Sequence, residues 1–162
     1  MKMTAVLVAA LAVASCDSDT KVRGSMIAFG PTPGFAAAQI SAQFFPQTLP
    51  FSLFTTSCAS RQFFTPAFDL VLVQPQSVNF FLDRVTFRMI DGTSLGGPSV
   101  TFPSAQLTSM FGSTLIVGSR AFSFRPQFGC GFFTRPGSIV ADVVLIDGRG
   151  QSHNVSVSAP FQ

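Results

Sequence analysis

Two stretches decide the fold: residues 68–73 read FDLVLV, and residues 79–90 read NFFLDRVTFRMI. The first is a short run of apolar and β-branched residues that ends just before a proline, which is typical of a buried strand. In the second, apolar and polar residues alternate, so that Val85, Phe87 and Met89 share one face of a predicted strand. This period of two residues predicts a mainly β protein.

Further strand signals lie on both sides of these stretches. Residues 139–146 are almost wholly apolar, which predicts a central strand that is covered on both faces. Residues 152–158 predict a last strand, with Val155 and Val157 facing inward. Shorter strands are predicted at 25–29, 49–55, 99–102, 114–117 and 121–125, and a helix of one or two turns at 105–111. Seven to nine strands with regular turn signals predict an antiparallel β-sandwich.

The N-terminus has the layout of an export signal. A basic residue is followed by the apolar run 5–14, which is shorter than the roughly 20 residues that span a bilayer. Residues 13–16 read Val-Ala-Ser-Cys and resemble the lipobox of bacterial lipoproteins, with valine where leucine is commonest. The resemblance implies that residues 1–15 are removed and that Cys16 carries a thioether-linked diacylglycerol. An ordinary secreted protein, in which Cys16 has no special role, is the alternative.

The lipobox resemblance also divides the chain. It implies a signal peptide at 1–15, a lipidated cysteine and tether at 16–25, and a single domain at 26–162. One acyl chain gives only marginal membrane binding, whereas two or more give stable anchoring. We therefore expect a protein held to a bacterial membrane by the lipid on Cys16, in the cell envelope, facing the periplasm or the exterior.

Two cysteines remain in the domain after Cys16. In an exported protein, Cys58 and Cys130 are most simply interpreted as one disulfide, which would close a loop of about 72 residues. Two free buried thiols or a metal site are the alternatives. A metal site is disfavoured because His153 is the only histidine and the sequence has no C-x-x-C spacing.

Composition narrows the classes of function. The chain carries only 10% charged residues, no glutamate, and scattered arginines rather than the clusters that nucleic-acid binding requires. Catalysis would need a nucleophile, a base and an orienting group within reach of one another. His153 is expected to be a solvated strand residue, and Asp147, which precedes a glycine, a turn residue. We expect no enzyme, no nucleic-acid partner, no metal and no cofactor.

Phenylalanine is unusually abundant. The chain has 20 phenylalanines and neither tryptophan nor tyrosine, which is more aromatic surface than a domain of this size buries with ease. An exposed apolar patch marks a partner surface. Alternatively, phenylalanine pairs could pin long loops to the ends of the sandwich. The candidate pairs are Phe44 and Phe45, Phe63 and Phe64, and Phe132 and Phe133.

The last predicted hairpin resembles the final two strands of an immunoglobulin-like or fibronectin-type domain, through its Asp-Gly turn and its Val-x-Val return strand. The resemblance covers roughly residues 67–160 and implies an immunoglobulin-like sandwich. The tryptophan and tyrosine usual in that class are absent from this sequence, and no function transfers with the architecture. Carboxylates within the apolar strands, those of Asp69, Asp83 and Asp142, are expected to pair with arginines.

Three functions remain in competition. The leading interpretation is a membrane-tethered, non-catalytic binding or structural module that contacts an envelope protein, and clustered exposed phenylalanines would favour it. The second is a carrier or sensor of a small apolar ligand, which a closed phenylalanine-lined cavity would favour. The third is an envelope hydrolase, which a polar cleft containing His153 and an aspartate would favour.

Overall fold

A computed structural model describes residues 39–76, 78–91, 96–130 and 136–162. Cys16, the tether and the strand predicted at 25–29 lie outside this part of the chain. The described part contains ten strands and two helices, so the prediction of seven to nine strands was slightly low. None of its helices has the length and apolar character needed to cross a membrane.

The elements follow in this order: β1 (Ser41–Phe45), α1 (Phe51–Ser60), β2 (Phe63–Phe64), β3 (Phe68–Val73), β4 (Phe80–Asp91), β5 (Gly96–Pro103), α2 (Ser104–Phe111), β6 (Leu115–Ile116), β7 (Ser119–Phe124), β8 (Phe128–Gly129), β9 (Pro136–Asp147) and β10 (Ser152–Pro160). A five-stranded sheet has the order β10-β9-β4-β5, with β6 also paired to β4, and a three-stranded sheet has the order β1-β3-β7. The short strands β2 and β8 pair with each other. The prediction of a mainly β protein with antiparallel sheets is confirmed.

The two larger sheets pack against each other through phenylalanine rings. Phe87 on β4 is fully buried, and its ring contacts rings from four other strands. The centroid distances are 6.4 Å to Phe44, 5.1 Å to Phe68, 5.9 Å to Phe102 and 4.8 Å to Phe124. Three of these four rings belong to the opposite sheet, so Phe87 is the main bridge between the sheets.

Strand β4 contains a bulge, and this bulge keeps the buried side chains on one face along the whole strand. The predicted inward face is confirmed, since Val85, Phe87 and Met89 are buried. Phe80 and Leu82 are buried too, although they lie an odd number of residues before Val85. The register with β9 shifts just after Leu82, which is the irregularity that brings the two buried runs onto one face.

Strand β9 is central, as predicted, but the prediction that both of its faces are covered was wrong. One face is buried and the other is only half-buried. The outer face carries a row of polar residues at matched register positions across four strands: Ser156, Asp142, Thr86 and Thr101. The Ser156 hydroxyl donates to Asp142 at 2.6 Å, and the two threonine hydroxyls lie 3.0 Å apart.

Asp142 has the arginine partner that was expected. Arg88 Nε donates to its carboxylate at 2.8 Å, and this hydrogen bond lowers the pKa of Asp142. Both side chains are partly exposed to solvent, which screens their charges, so the pair adds little to stability. Asp69 departs from the expectation, because its carboxylate accepts a hydrogen bond from the Ser123 hydroxyl at 2.6 Å.

One of the two helices, α2, was predicted correctly, and the other, α1, was not. Helix α2 confirms the helix predicted at 105–111; its Leu107 is buried and its Phe111 ring lies 5.1 Å from that of Phe122. Helix α1 replaces most of the strand predicted at 49–55. The amides of Leu49 and Phe51 donate to carbonyls at the C-terminus of the chain, and the helix begins directly after this pairing.

A disulfide connects Cys58 in α1 with Cys130 after β8, as the export argument predicted. The two Cα atoms lie 5.5 Å apart. The Cys130 amide also donates to the Gln62 carbonyl at 3.0 Å, next to the pairing of β2 with β8. The disulfide therefore joins α1 to the small two-stranded sheet at one end of the domain.

Replacing Phe87 with alanine should remove the bridge between the sheets. We expect the free energy of unfolding to fall by about 3–5 kcal/mol, the usual cost of truncating a fully buried phenylalanine. Because the chain lacks tryptophan and tyrosine, unfolding in urea is best followed by far-UV circular dichroism. Phe81→Ala on the same strand is the matched control; Phe81 is 44% exposed, so its loss should be much smaller. Equal losses for the two variants would contradict the central role of Phe87.

The Cys58→Ser, Cys130→Ser double variant should lose about 4 kcal/mol of unfolding free energy, because the disulfide closes a long loop in the unfolded chain. The measurement is a urea titration of the wild type and the double variant under oxidising conditions. Wild type treated with a reductant should then unfold at the midpoint of the double variant. A midpoint that does not respond to reduction would rule out this contribution.

Candidate functional site

The candidate site is the seam between the two sheets where their edge strands β1 and β10 lie side by side. The strands run in the same direction and are joined only beyond their ends, through a parallel bridge between Leu49 and Phe161. At that bridge the Leu49 amide donates to the Pro160 carbonyl at 2.9 Å. Between the described residues of β1 and β10 themselves, no backbone hydrogen bond is formed. Among the described residues, backbone hydrogen bonds therefore join the two strands at one end of the seam and not along their length.

Two clefts lie in succession along this seam. The upper cleft is at the open end, where the described chain begins, and has a volume of about 400 Å³. It is lined by Gln39, Ile40, Ser41, Pro75, His153, Asn154 and Val155. The lower cleft has a volume of about 410 Å³ and is lined by Gln43, Phe44, Gln47, Thr48, Val157, Ser158 and Pro160.

Apart from His153, no side chain that lines the two clefts is ionisable. The polar groups of this lining are the amides and hydroxyls of glutamine, asparagine, serine and threonine, which can donate and accept hydrogen bonds. Its apolar groups include Ile40, Val155 and Val157, which pack against the main core. This lining suits a ligand that is neutral and has both polar and apolar groups.

His153 connects the upper cleft to a buried carboxylate. Its Nε2 lies 3.0 Å from Asp147 Oδ2, and its ring packs edge-to-face on Phe80 at 5.2 Å. Asp147 is only 7% exposed, and its Oδ1 accepts hydrogen bonds from the amides of Arg149 and Gln151. The hydrogen bond with His153, together with the backbone bonds, lowers the pKa of Asp147.

This pair confirms one sequence expectation and corrects another. Asp147 is the turn residue of the hairpin between β9 and β10, as expected. His153 was expected to be a solvated strand residue, but it is half-buried and bonded to Asp147, because both side chains point to the inner side of neighbouring strands. The sequence signal was that the two residues lie six positions apart, on either side of a tight turn.

The site contains some of the parts of a hydrolase, but they are not assembled. Ser41 lines the same cleft as His153, yet its hydroxyl donates to the Val73 carbonyl, at 3.5 Å. The carboxylate of Asp147 accepts hydrogen bonds from the backbone of the hairpin. Among the described residues, no cluster of three or more histidine, cysteine and acidic side chains is close enough to hold a metal ion.

Gln74 lies at the same end of the domain, in a separate cleft of about 360 Å³ that shares Pro75 with the upper cleft. Its side chain is buried, and no described group accepts a hydrogen bond from its Nε2. A buried amide in this state costs roughly 1–3 kcal/mol. No sequence pattern singles out this position.

The predicted phenylalanine surface needs correction. Phe44 and Phe64 belong to the core, at 2% and 1% exposure, whereas their neighbours Phe45 and Phe63 are 66% and 45% exposed. Successive side chains of an extended strand point to opposite faces, so a pair of phenylalanines in a strand sends only one ring outward. Phe132 and Phe133 lie outside the described residues.

Comparisons with known proteins give weak likenesses. No protein-family profile and no curated protein matches the sequence. A solved Northeast Structural Genomics Consortium target has a TM-score of 0.44 and 9% identity, over 76% of this chain and 84% of that one. A protein of Bordetella pertussis, provisionally named ApaA, has a TM-score of 0.41 and 11% identity, over 76% of this chain and 91% of that one. At these values, neither likeness supports a family or a function.

The lowered pKa of Asp147 makes the hairpin sensitive to acid. Because the pKa is lower in the folded chain than its ordinary 3.8, the ionised carboxylate stabilises the fold above that value. This contribution is lost as the pH falls through the folded pKa. We expect Asp147→Asn to be less stable than wild type at pH 7, and the difference to narrow toward pH 2.

The measurement is the urea midpoint of both proteins at several pH values between 2 and 7, followed by circular dichroism. Asp83→Asn on β4 is the control for the loss of one carboxylate elsewhere. A difference between wild type and Asp147→Asn that stays constant over this range would show that ionisation of Asp147 does not stabilise the hairpin.

Proposed function

We propose that this protein is a lipid-anchored, non-catalytic binding module of a bacterial cell envelope, and that it contacts another envelope protein. The anchor is the lipid on Cys16, after removal of residues 1–15, as the resemblance of residues 13–16 to a lipobox implies. The described domain is an immunoglobulin-like sandwich in this proposal. Its two packed antiparallel sheets and its last hairpin, β9 to β10, are compatible with that class.

The observation that carries the binding role is the open, uncharged seam between β1 and β10. Two neighbouring sheet edges without backbone bonds to each other offer hydrogen-bonding groups to a partner. The lining adds neutral polar groups and partly buried valines, which together provide both orientation and apolar contact. A structural spacer would need no such lining.

The carrier of a small apolar ligand is less well supported. Such a carrier needs open space between phenylalanine rings inside the sandwich. The rings around Phe87 instead touch one another, with Phe102 lying 5.3 Å from Phe124 and Phe44 lying 5.0 Å from Phe68. The rings in these contacts already fill the space between them.

An envelope hydrolase is the remaining candidate, because Ser41 and His153 both line the upper cleft and His153 is hydrogen-bonded to Asp147. The Ser41 hydroxyl bonds to the backbone rather than to His153, which favours binding over catalysis. A nitrophenyl ester assay separates the two candidates. Ester turnover that is lost in both His153→Ala and Ser41→Ala would establish the hydrolase instead of the binding module.

The first test is the intact mass of the protein from the membrane fraction of a bacterial host, with Cys16→Ser beside it. We expect a mass that corresponds to cleavage before Cys16 plus a diacylglycerol, because only the cysteine thiol can form the thioether. The variant should lack this mass and leave the membrane fraction. An unlipidated protein in the periplasm or medium would contradict the anchor.

The second part of the proposal is the partner. Chemical crosslinking in intact cells, followed by purification of the lipidated chain, should give a defined adduct with an envelope protein. Asn154→Arg, which places a charge in the upper cleft, should reduce the adduct. Thr101→Arg on the outer face of the five-stranded sheet is the control, and an equal effect of both variants would count against the seam.

A further inference from the structure

We infer that the cleft beside Gln74 is a second binding site, which takes a small, uncharged ligand through a hydrogen bond from the Gln74 side-chain amide to an oxygen of the ligand. The cleft has a volume of about 360 Å³, in the lower part of the range of about 300–1,000 Å³ that is usual for ligand pockets. This site requires neither the lipid nor the partner protein of the proposed function.

The alternation of strand β3 places the Gln74 side chain at the end of the core. The buried residues of this strand are Phe68, Leu70 and Leu72. Gln74 continues their row just beyond the strand and is itself only 3% exposed. Its main-chain amide donates to the Gly118 carbonyl at 2.6 Å, which fixes the backbone at this point. An apolar residue is the usual occupant of such an inward position, so a glutamine there calls for an explanation.

The side-chain nitrogen of Gln74 has no acceptor. Nε2 is buried, and no group in the part of the chain that the structure describes accepts a hydrogen bond from it. A buried donor of this kind is costly, because it has lost its hydrogen bonds to water and gained none in return. Gln74 lines the cleft, so a ligand that enters the cleft can supply the missing acceptor. The stability that the free protein loses at this position is then recovered on binding.

Both chain segments that line the cleft with Gln74 are held by backbone hydrogen bonds. The first carries the side chains of Gln76 and Asn79, and the Asn79 carbonyl accepts a hydrogen bond from the Gly148 amide at 3.0 Å. The second consists of Val117 and Gly118, and the Gly118 carbonyl is bonded to the residue that follows β3. A preformed site of this kind loses less conformational entropy on binding than a mobile one.

The lining identifies the chemical class of the ligand. None of the lining residues that the structure describes is ionisable, so a charged ligand would lose water without a compensating charge. The carboxamides of Gln76 and Asn79 add further donors and acceptors. Val117, which is 64% exposed, and Pro75 offer apolar contact. A neutral amide or a sugar combines an acceptor oxygen with apolar C–H surface in the way that this lining requires.

The test is a titration of the full mature chain, labelled with nitrogen-15 and held in detergent, with three probes. N-methylacetamide is a neutral amide, glucose is a neutral sugar, and acetate is an anion. The measurement is the position of the two side-chain NH₂ signals of Gln74 in the NMR correlation spectrum, which are identified by their absence from Gln74→Met. We expect a neutral probe to shift these signals until they saturate, and acetate to leave them unchanged. The neutral probe that binds more tightly identifies the ligand as an amide or a sugar.

Gln74→Met replaces the amide with an apolar side chain of similar length. It should weaken binding of the same probe at least about tenfold, followed through the backbone signals of Val117 and Gly118, because one hydrogen bond is lost. It should also raise the urea midpoint of the free protein, since no buried donor is left without an acceptor. Gln106→Met in α2 is the matched control; it makes the same exchange at an exposed position and should change neither quantity.

The inference is overturned if neither neutral probe shifts the Gln74 signals, if acetate shifts them as much, or if Gln74→Met binds the probe as tightly as wild type. A urea midpoint for Gln74→Met below that of Gln106→Met would also overturn it, because the amide would then already have a partner, such as bound water, in the free protein. None of these measurements involves the lipid on Cys16 or the crosslinked partner. Failure here therefore leaves the proposed function standing.

Discussion

The contacts of Phe87 fix how the two sheets lie against each other. Its ring meets Phe44, Phe68 and Phe124, one from each strand of the opposite sheet. Phe44 on β1 is the outermost of these, and its position determines where the edge of the small sheet lies. On the other sheet, β10 is two strands away from β4. The seam between β1 and β10 is therefore a consequence of how the aromatic core is packed.

A core made of phenylalanine also explains where the polar groups lie. Phenylalanine has no hydrogen-bonding group, so the space between the sheets can close without any polar partner. Among the described residues, the buried polar side chains are those of Gln74 and Asp147, and both lie near the upper cleft. The carboxylate of Asp147 is hydrogen-bonded to the hairpin and to His153, whereas the Gln74 amide nitrogen has no partner in the described part of the chain.

The sequence predicted the elements whose structure depends on local pattern. Alternation correctly identified the inward faces of β4 and β10, and the helix α2 was found near its true bounds. Helix α1 was missed because its start depends on pairing between Leu49 and the C-terminus, more than a hundred residues away. The bulge after Leu82 was missed because only the register with β9 defines it.

The site was harder to predict than the fold, because it too depends on contacts between residues that are far apart in the chain. The sequence placed Asp147 in a turn and His153 on the next strand, and a hairpin brings such residues to diagonal positions on one face. The seam could not be predicted, since the sequence does not say which strands are edges. Only the strand order shows that β1 and β10 are edges, and only the bridge between Leu49 and Phe161 shows that they lie next to each other.

An unguarded edge such as β10 is normally a hazard, because it can pair with the edge of another sheet. Here β1 stands beside it, and the bond from Leu49 to Pro160 holds the two edges together at the lower end. A whole sheet that approaches β10 would collide with β1 and with the side chains of Gln43 and Gln47, which line the lower cleft. The second sheet thus supplies the protection that charge supplies at other edge strands.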